Sequence, residues 1–221
     1  MRHAEPAWGQ DGKPQMDPAL TERGREQAKR AAERIAERGL AELWCSDARR
    51  SLQTAEAIAH ATGKEPLVVP DLTEMRLPDW SGLSLAEVAK RFRDGRLREP
   101  EAWWRGTAGG ESFSAFAERV HGALRKLLDE RGVRRREDPA HPYYERSRDL
   151  GRIVIVGHGG TNAVALSALL GFPALPWEWE RFGLNHAAFL RLTSVQLGSG
   201  FVFGVRALYD CEHLPKELRS A

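Results

Sequence analysis

The sequence predicts one α/β domain over residues 1–221: a three-layer sandwich with a mostly parallel central sheet, helices on both faces and a small helical cap. Three observations predict it. Apolar runs of strand length alternate with segments of helical periodicity. Ile153–Val156 is an unbroken β-branched run, as a strand covered on both faces requires. Gly39 and Gly63 stand where helices should stop.

Leu20 to Gly39 reads as the first helix, with Thr21 placed to cap it and Ala28, Ala32, Ile35 and Ala36 recurring at helical spacing. Glu42–Cys45 is a short buried strand, Ala48–Ala61 a second helix and Pro66–Val69 another strand. Ser84 and Glu87 form a capping box for a helix running to Phe92. The surrounding segment, residues 80–110, carries few strand signals and is expected to form the cap. Ser112–Glu130 is a longer amphipathic helix with Phe113, Phe116, Val120, Leu124 and Leu127 on one face. Residues 131–152 are rich in Arg, Glu, Asp and Pro and read as an exposed loop. After Ile153–Val156, the glycines of 157–160 turn the chain into a helix over Thr161–Leu170. His186–Leu192 and Phe201–Leu208 are the last strands.

Charge excludes some partners. Lys and Arg total 33 against 31 Asp and Glu, so a net charge of +2 argues for neither nucleic acid nor a membrane surface. Two cysteines, Cys45 and Cys211, make no disulfide framework, which points to a reducing cytoplasm. No apolar run reaches membrane-span length, and no signal peptide opens the chain. His60, His121, His141, His186 and His213 lack metal-ligand spacing, so neither a metal nor another cofactor is expected.

Ligand sites of open α/β sheets gather beyond the carboxyl ends of the strands. Three polar motifs fall there: Arg2-His3-Ala4-Glu5-Pro6 at the start, Ser46-Asp47-Ala48-Arg49-Arg50 after Glu42–Cys45, and Gly157-His158-Gly159-Gly160 after Ile153–Val156. Guanidinium forks match phosphate oxygens, and backbone N–H groups at a glycine-rich helix start bind anions. The set suits a phosphoryl group.

These motifs resemble the histidine phosphatase superfamily, of phosphoglycerate mutase-like type. Arg2-His3-Ala4 is similar to its Arg-His-Gly signature. Asp17-Pro18-Ala19-Leu20-Thr21-Glu22-Arg23-Gly24, the stretch Ser46–Glu56, Leu72–Gly82, Gly109–Ser112 and Val156–Gly160 follow in the family's order. The resemblance implies His3 as the phosphorylated nucleophile, Glu74 as proton donor and His158 as the second pocket histidine. It implies that Arg2, Arg50 and the amide of Gly159 bind the substrate phosphate. Arg50 is chosen over Arg49 because it lies three residues before Gln53-Thr54-Ala55; a slip of one residue would exchange them. The implied activity is metal-independent hydrolysis of a small phosphorylated metabolite, with a homodimer as the expected assembly.

The chain departs from the family's pattern in places. Ala4 replaces the usual glycine, Pro6 stands where a hydroxyl residue is common, and no counterpart of the mutases' Glu-Arg-Arg segment is present. These differences favour hydrolysis over the alternative, a phosphoglycerate mutase-type phosphotransferase. A phospho-ligand-binding pseudoenzyme is the other alternative. The family's Arg-His motif ends a strand, whereas only Met1 precedes Arg2 here. The expectation is that the natural chain begins upstream, which the intact mass of the native protein would check.

Overall fold

A computed structural model describes residues 1–10, 12–136 and 142–221; His141 lies outside them. In chain order the elements are β1 (Gly9–Gln10), β2 (Lys13–Pro14), α1 (Glu22–Arg38), β3 (Glu42–Cys45), α2 (Arg49–Thr62), β4 (Pro66–Val68), α3 (Leu85–Arg96), α4 (Pro100–Trp104), α5 (Phe113–Glu130), β5 (Val133–Arg136), β6 (Tyr143–Arg146), β7 (Ile153–Val156), α6 (Gly159–Leu170), α7 (Glu178–Arg181), β8 (Phe189–Leu197) and β9 (Gly200–Asp210). Among the described residues, no helix is long and apolar enough to cross a membrane.

The central sheet is parallel, in the order β4-β3-β7. Its two faces follow from the period-two alternation of strand side chains. Leu43, Cys45, Val154 and Val156 point to one side, where Ala28, Ala32 and Ile35 of α1 and Ala55 and Ile58 of α2 cover them. Trp44, Ile153 and Ile155 point to the other, against Phe116, Val120 and Leu124 of α5 and Val164 of α6. Thr21 caps α1 through a 2.9 Å bond from the Gly24 N–H, and Gly39 ends it at φ 74°.

The amino terminus joins this sheet. Arg2 bridges Gly157 in parallel register. The Met1 amine donates to Ile155 O at 2.6 Å, Gly157 N to Met1 O and His3 N to Gly157 O, both at 2.9 Å. On the opposite side Arg2 N donates to Ala188 O at 3.2 Å. Backbone hydrogen bonds from both neighbours therefore fix the segment that carries His3. Burial pushes the Met1 amine down to about 5. A cavity of about 700 Å³ lies away from the motifs, between β7 and β8.

Residues 131–152 correct the sequence reading. Instead of an exposed loop, β5 and β6 pair antiparallel and extend to β9 and β8 as a four-stranded sheet. Val133 and Tyr144 are buried against Phe201, while Arg134, Arg135 and Arg136 face outward. Two buried side chains on one face of a hairpin suffice for a strand pair, and the charges beside them masked that signal. Residues 137–141 of this segment lie outside the described ones. The strand–helix alternation anticipates the parallel sheet and its covering helices, but not this second, antiparallel sheet.

The capping box forms as read: Ser84 Oγ accepts from Glu87 N at 3.3 Å, and Glu87 Oε2 accepts from Ser84 N at 2.8 Å. The helix runs to Arg96, past Phe92, with no fully buried residue. Together with α4 it makes the small cap, anchored by buried Trp80 with Phe92 edge-on at 5.4 Å. At the other motif, α6 opens at Gly159 instead of Thr161, so both glycines belong to its first turn.

Candidate active site

Three strand ends bring three polar side chains together. His3 follows the short amino-terminal pairing, Arg50 stands in the first turn of α2 just beyond β3, and His158 caps α6 just beyond β7. Ala4 N donates to Thr54 Oγ1, which donates to Arg50 O, so one threonine ties the His3 turn to the α2 start. Gly24 permits the next contact. A Cβ there would stand 2.1 Å from Glu5 O, so only glycine lets α1 approach the Arg2–Glu5 stretch this closely.

Hydrogen bonds define the imidazole tautomers. The Arg50 guanidinium only donates. Its Nε–H reaches His3 Nε2 at 3.1 Å, so that nitrogen accepts, while His3 Nδ1–H donates to Ala4 O at 2.8 Å. Arg50 Nη2 reaches His158 Nδ1 at 3.1 Å, so His158 Nε2–H donates to Ser46 Oγ at 2.7 Å. The two rings lie edge to face, 5.1 Å apart. One guanidinium thus spans the unprotonated nitrogens of both. Arg49 is exposed and uses its backbone N–H on Asp17, so it is Arg50 whose guanidinium lies between the two rings.

Both histidines are buried, His3 with 2% and His158 with 1% of its surface exposed. Burial, then the repulsion that protonating both rings would create, and the charges of Arg50 and Arg2 hold the His3 imidazole well below its usual range, against an opposing hydrogen bond to Ala4. Burial and then Arg50, Arg2 and Arg119 do the same to His158. Each ring is therefore uncharged at neutral pH. Burial also lowers the guanidinium pKa of Arg2 and Arg50, and the nearby Glu74 carboxylate opposes it. Arg2 donates from Nη1 to Leu184 O at 2.5 Å.

Glu74 reaches the pocket from the loop after β4. Its Oε2 accepts the Gly160 N–H at 2.8 Å, and its Oε1 accepts the Met75 N–H at 3.0 Å. Gly159 opens the same helix, where backbone amides and the helix dipole favour an anion. Arg119 of α5 holds the loop: it donates to the carbonyls of Asp71, Thr73 and Glu74 and pairs with Glu111 through two 2.7 Å bonds. Thr161 Oγ1 adds a bond to Thr73 O.

The structure thus gathers His3, Arg2, Arg50, His158, Glu74 and Gly159. Sequence reasoning missed several neighbours. Arg119 reads as one more charged residue on an amphipathic helix, and Glu111 figures only as a letter of the Gly109–Ser112 motif. Ser46 belongs to a quoted motif, yet nothing local announced its bond to His158. Trp8, half exposed, lies 4.9 Å from the Arg50 guanidinium. His186 is buried with its ring 5.7 Å from that of His3.

Two guanidinium groups, two uncharged imidazoles and a helix start meet at the carboxyl ends of parallel strands in an open α/β fold, a set of donors whose chemistry suits an anion. Comparison with known proteins makes this specific. A profile of the histidine phosphatase superfamily (branch 1) matches residues 1–199. Proteins named probable phosphoglycerate mutase GpmB from Cronobacter sakazakii and Escherichia fergusonii are 30% and 31% identical, over 97% of this chain and 93% of theirs. A mycobacterial glucosyl-3-phosphoglycerate phosphatase, solved with VO3, superposes with a TM-score of 0.71 at 26% identity, covering 95% of this chain and 96% of that one. The α-ribazole phosphatase of Shigella flexneri shares the fold, with a TM-score of 0.67 at 21% identity over 95% and 94% of the two chains. The chain belongs to the histidine phosphatase superfamily.

Proposed function

We propose that this protein hydrolyses a small phosphomonoester through a phosphohistidine formed on His3. The observation that carries the reading is the state of the His3 ring. Its Nδ1–H is committed to Ala4 O, leaving the Nε2 lone pair toward Arg50 and His158. An uncharged imidazole with an oriented lone pair is a nucleophile, and a covalent intermediate divides one difficult displacement into two easier ones.

In the first step Nε2 attacks phosphorus, the N–P bond forms and the P–O bond to the leaving group breaks. Arg50 must then pass its Nε–H from His3 to a phosphoryl oxygen, since it occupies that lone pair otherwise. Arg2, Arg50, His158 and the Gly159 amide would carry the charge on the equatorial oxygens. Glu74, in its acid form, would give its proton to the departing alkoxide. In the second step water attacks phosphorus, Glu74 takes the proton back, and the N–P bond breaks to release orthophosphate. The cap of α3 and α4 supports a small substrate over a protein.

The mutase-named relatives favour a second reading, in which the phosphoryl group passes to another substrate instead of water. The likeness to a solved phosphatase over nearly the whole chain supports hydrolysis. The test is release of p-nitrophenol from its phosphate ester with EDTA present, by the wild type and by His3→Ala. Turnover in the first and none in the second is expected. Equal turnover in both would overturn the proposal. Stoichiometric orthophosphate in the presence of 3-phosphoglycerate separates hydrolysis from transfer.

A further inference from the structure

The pocket holds a third histidine that neither the motifs nor the mechanism uses. His186 is 4% exposed, and its ring lies 5.7 Å from His3 at a 40° tilt. The charges that bear on it are those of Arg2, Arg23 and Arg50, which face it from the amino-terminal segment, α1 and α2. Its Nδ1 is engaged by Ser220 Oγ at 3.0 Å, near the carboxyl end of the chain. Its Nε2 is buried without a hydrogen-bond partner among the described residues, and so is Arg2 Nε.

A hydrogen-bond relay is arranged to make that orphan nitrogen a donor. Gln27 is buried in α1, and its Oε1 accepts from Glu5 N at 2.8 Å, which fixes the orientation of its amide. Its Nε2 then donates to Leu218 O at 2.6 Å and to Ser220 Oγ at 3.0 Å. Ser220 accepts one proton from Gln27 and has its own to give, and His186 Nδ1 is the ring nitrogen within its reach. With Ser220 donating, His186 carries its proton on Nε2. Two buried N–H donors, on Arg2 and His186, then lack acceptors beside the nucleophile. An unpaired buried donor is costly, and an oxyanion would supply what both lack.

We propose that His186 Nε2–H donates to an oxygen of the phosphoryl group in the His3 pocket, and that the Gln27–Ser220 relay fixes the tautomer that lets it do so. The inference deepens the phosphatase reading and rests on its phosphoryl pocket. It does not rest on turnover. His186 is a binding residue in this account, and Gln27 and Ser220 are positioning residues. The carboxyl-terminal tail is thereby part of the active-site scaffold.

The test uses the full chain and orthophosphate, with affinity measured calorimetrically for the wild type, His186→Ala, His186→Gln and Ser220→Ala. Loss of a donor to a charged ligand is expected to weaken binding about tenfold or more in His186→Ala. His186→Gln, which carries an amide N–H at the same reach, is expected to recover most of it. Ser220→Ala, which frees the tautomer, is expected to weaken binding severalfold. In the wild type, the 15N resonance of His186 Nε2 should be that of a protonated nitrogen and should shift on adding phosphate, a response that a merely structural ring would not give. Wild-type affinity in a folded His186→Ala, or an unprotonated Nε2 in the spectrum, would overturn the inference. Absence of p-nitrophenyl phosphate turnover alongside these binding differences would overturn the hydrolytic reading alone.

Discussion

Gly160→Ala isolates the placement of Glu74 from the stability of the fold. A Cβ on Gly160 stands 2.5 Å from Glu74 Oε1 and 3.2 Å from its Cδ. Ordinary contact begins near 3.4 Å, so the carboxylate must retreat by 3.4 − 2.5, or 0.9 Å. The 2.8 Å bond from Gly160 N to Oε2 is strained or lost in the process. Displacing a reacting group by about 1 Å costs on the order of 100-fold in rate. The fold suffers less, because Ala is favoured over Gly in a helix by about 1 kcal/mol. That offsets part of the roughly 1.5–3 kcal/mol attached to a hydrogen bond with a charged group. The net loss is about 2 kcal/mol or less, a fall in Tm of no more than about 8 °C for a chain of this size. Steady-state hydrolysis of p-nitrophenyl phosphate beside a calorimetric melt reads both quantities. The expected result is kcat down about 100-fold with a modest change in Tm. A folded variant with kcat within threefold of wild type would refute the role given to Glu74.

Three further predictions concern the surroundings. Arg119→Met removes the guanidinium partner of the partly buried Glu111 carboxylate, at 12% and 9% side-chain exposure for the pair, and leaves it, among the described residues, only the Arg76 N–H; it should cost about 1.5–3 kcal/mol in urea unfolding, and adding Glu111→Met should recover part of it. Stability should fall with acidity. His186 is held at about 3 and His3 and His158 well below their usual range, so below pH 6.5 the unfolded chain takes up protons that the native state refuses. Together they should remove about 3 kcal/mol between pH 6 and pH 5, and equal urea midpoints at the two values would contradict this. Trp8→Ala removes an exposed cation–π partner of Arg50, worth about 0.5–1 kcal/mol, so KM should rise about two- to fivefold with the melting temperature unchanged.

Much of the fold was legible in the sequence because its signals are local. Thr21, Gly39, Ser84 and Glu87 act within one helical turn, and Ile153–Val156 carries its own burial in its side chains. The hairpin at 131–152 was not legible, since Val133 and Tyr144 become core residues only when Phe201 arrives from a distant strand. The same holds at the site. Arg2, His3, Arg50 and His158 sit at strand ends that short motifs mark, whereas Arg119 matters through three carbonyls some 45 to 48 residues away in the chain. His186 has no metal-ligand spacing to mark it, and its place at the site depends on Gln27 and Ser220, which no sequence pattern connects to it.

The central proposal is a covalent bond between His3 Nε2 and phosphorus. Rapid mixing with a phosphomonoester, an alkaline quench and peptide mass spectrometry test it most directly. The account predicts an acid-labile mass increment of one phosphoryl group on the peptide containing His3, absent from His3→Ala. Turnover with no such increment at any quench time, or the increment on another residue, would contradict it.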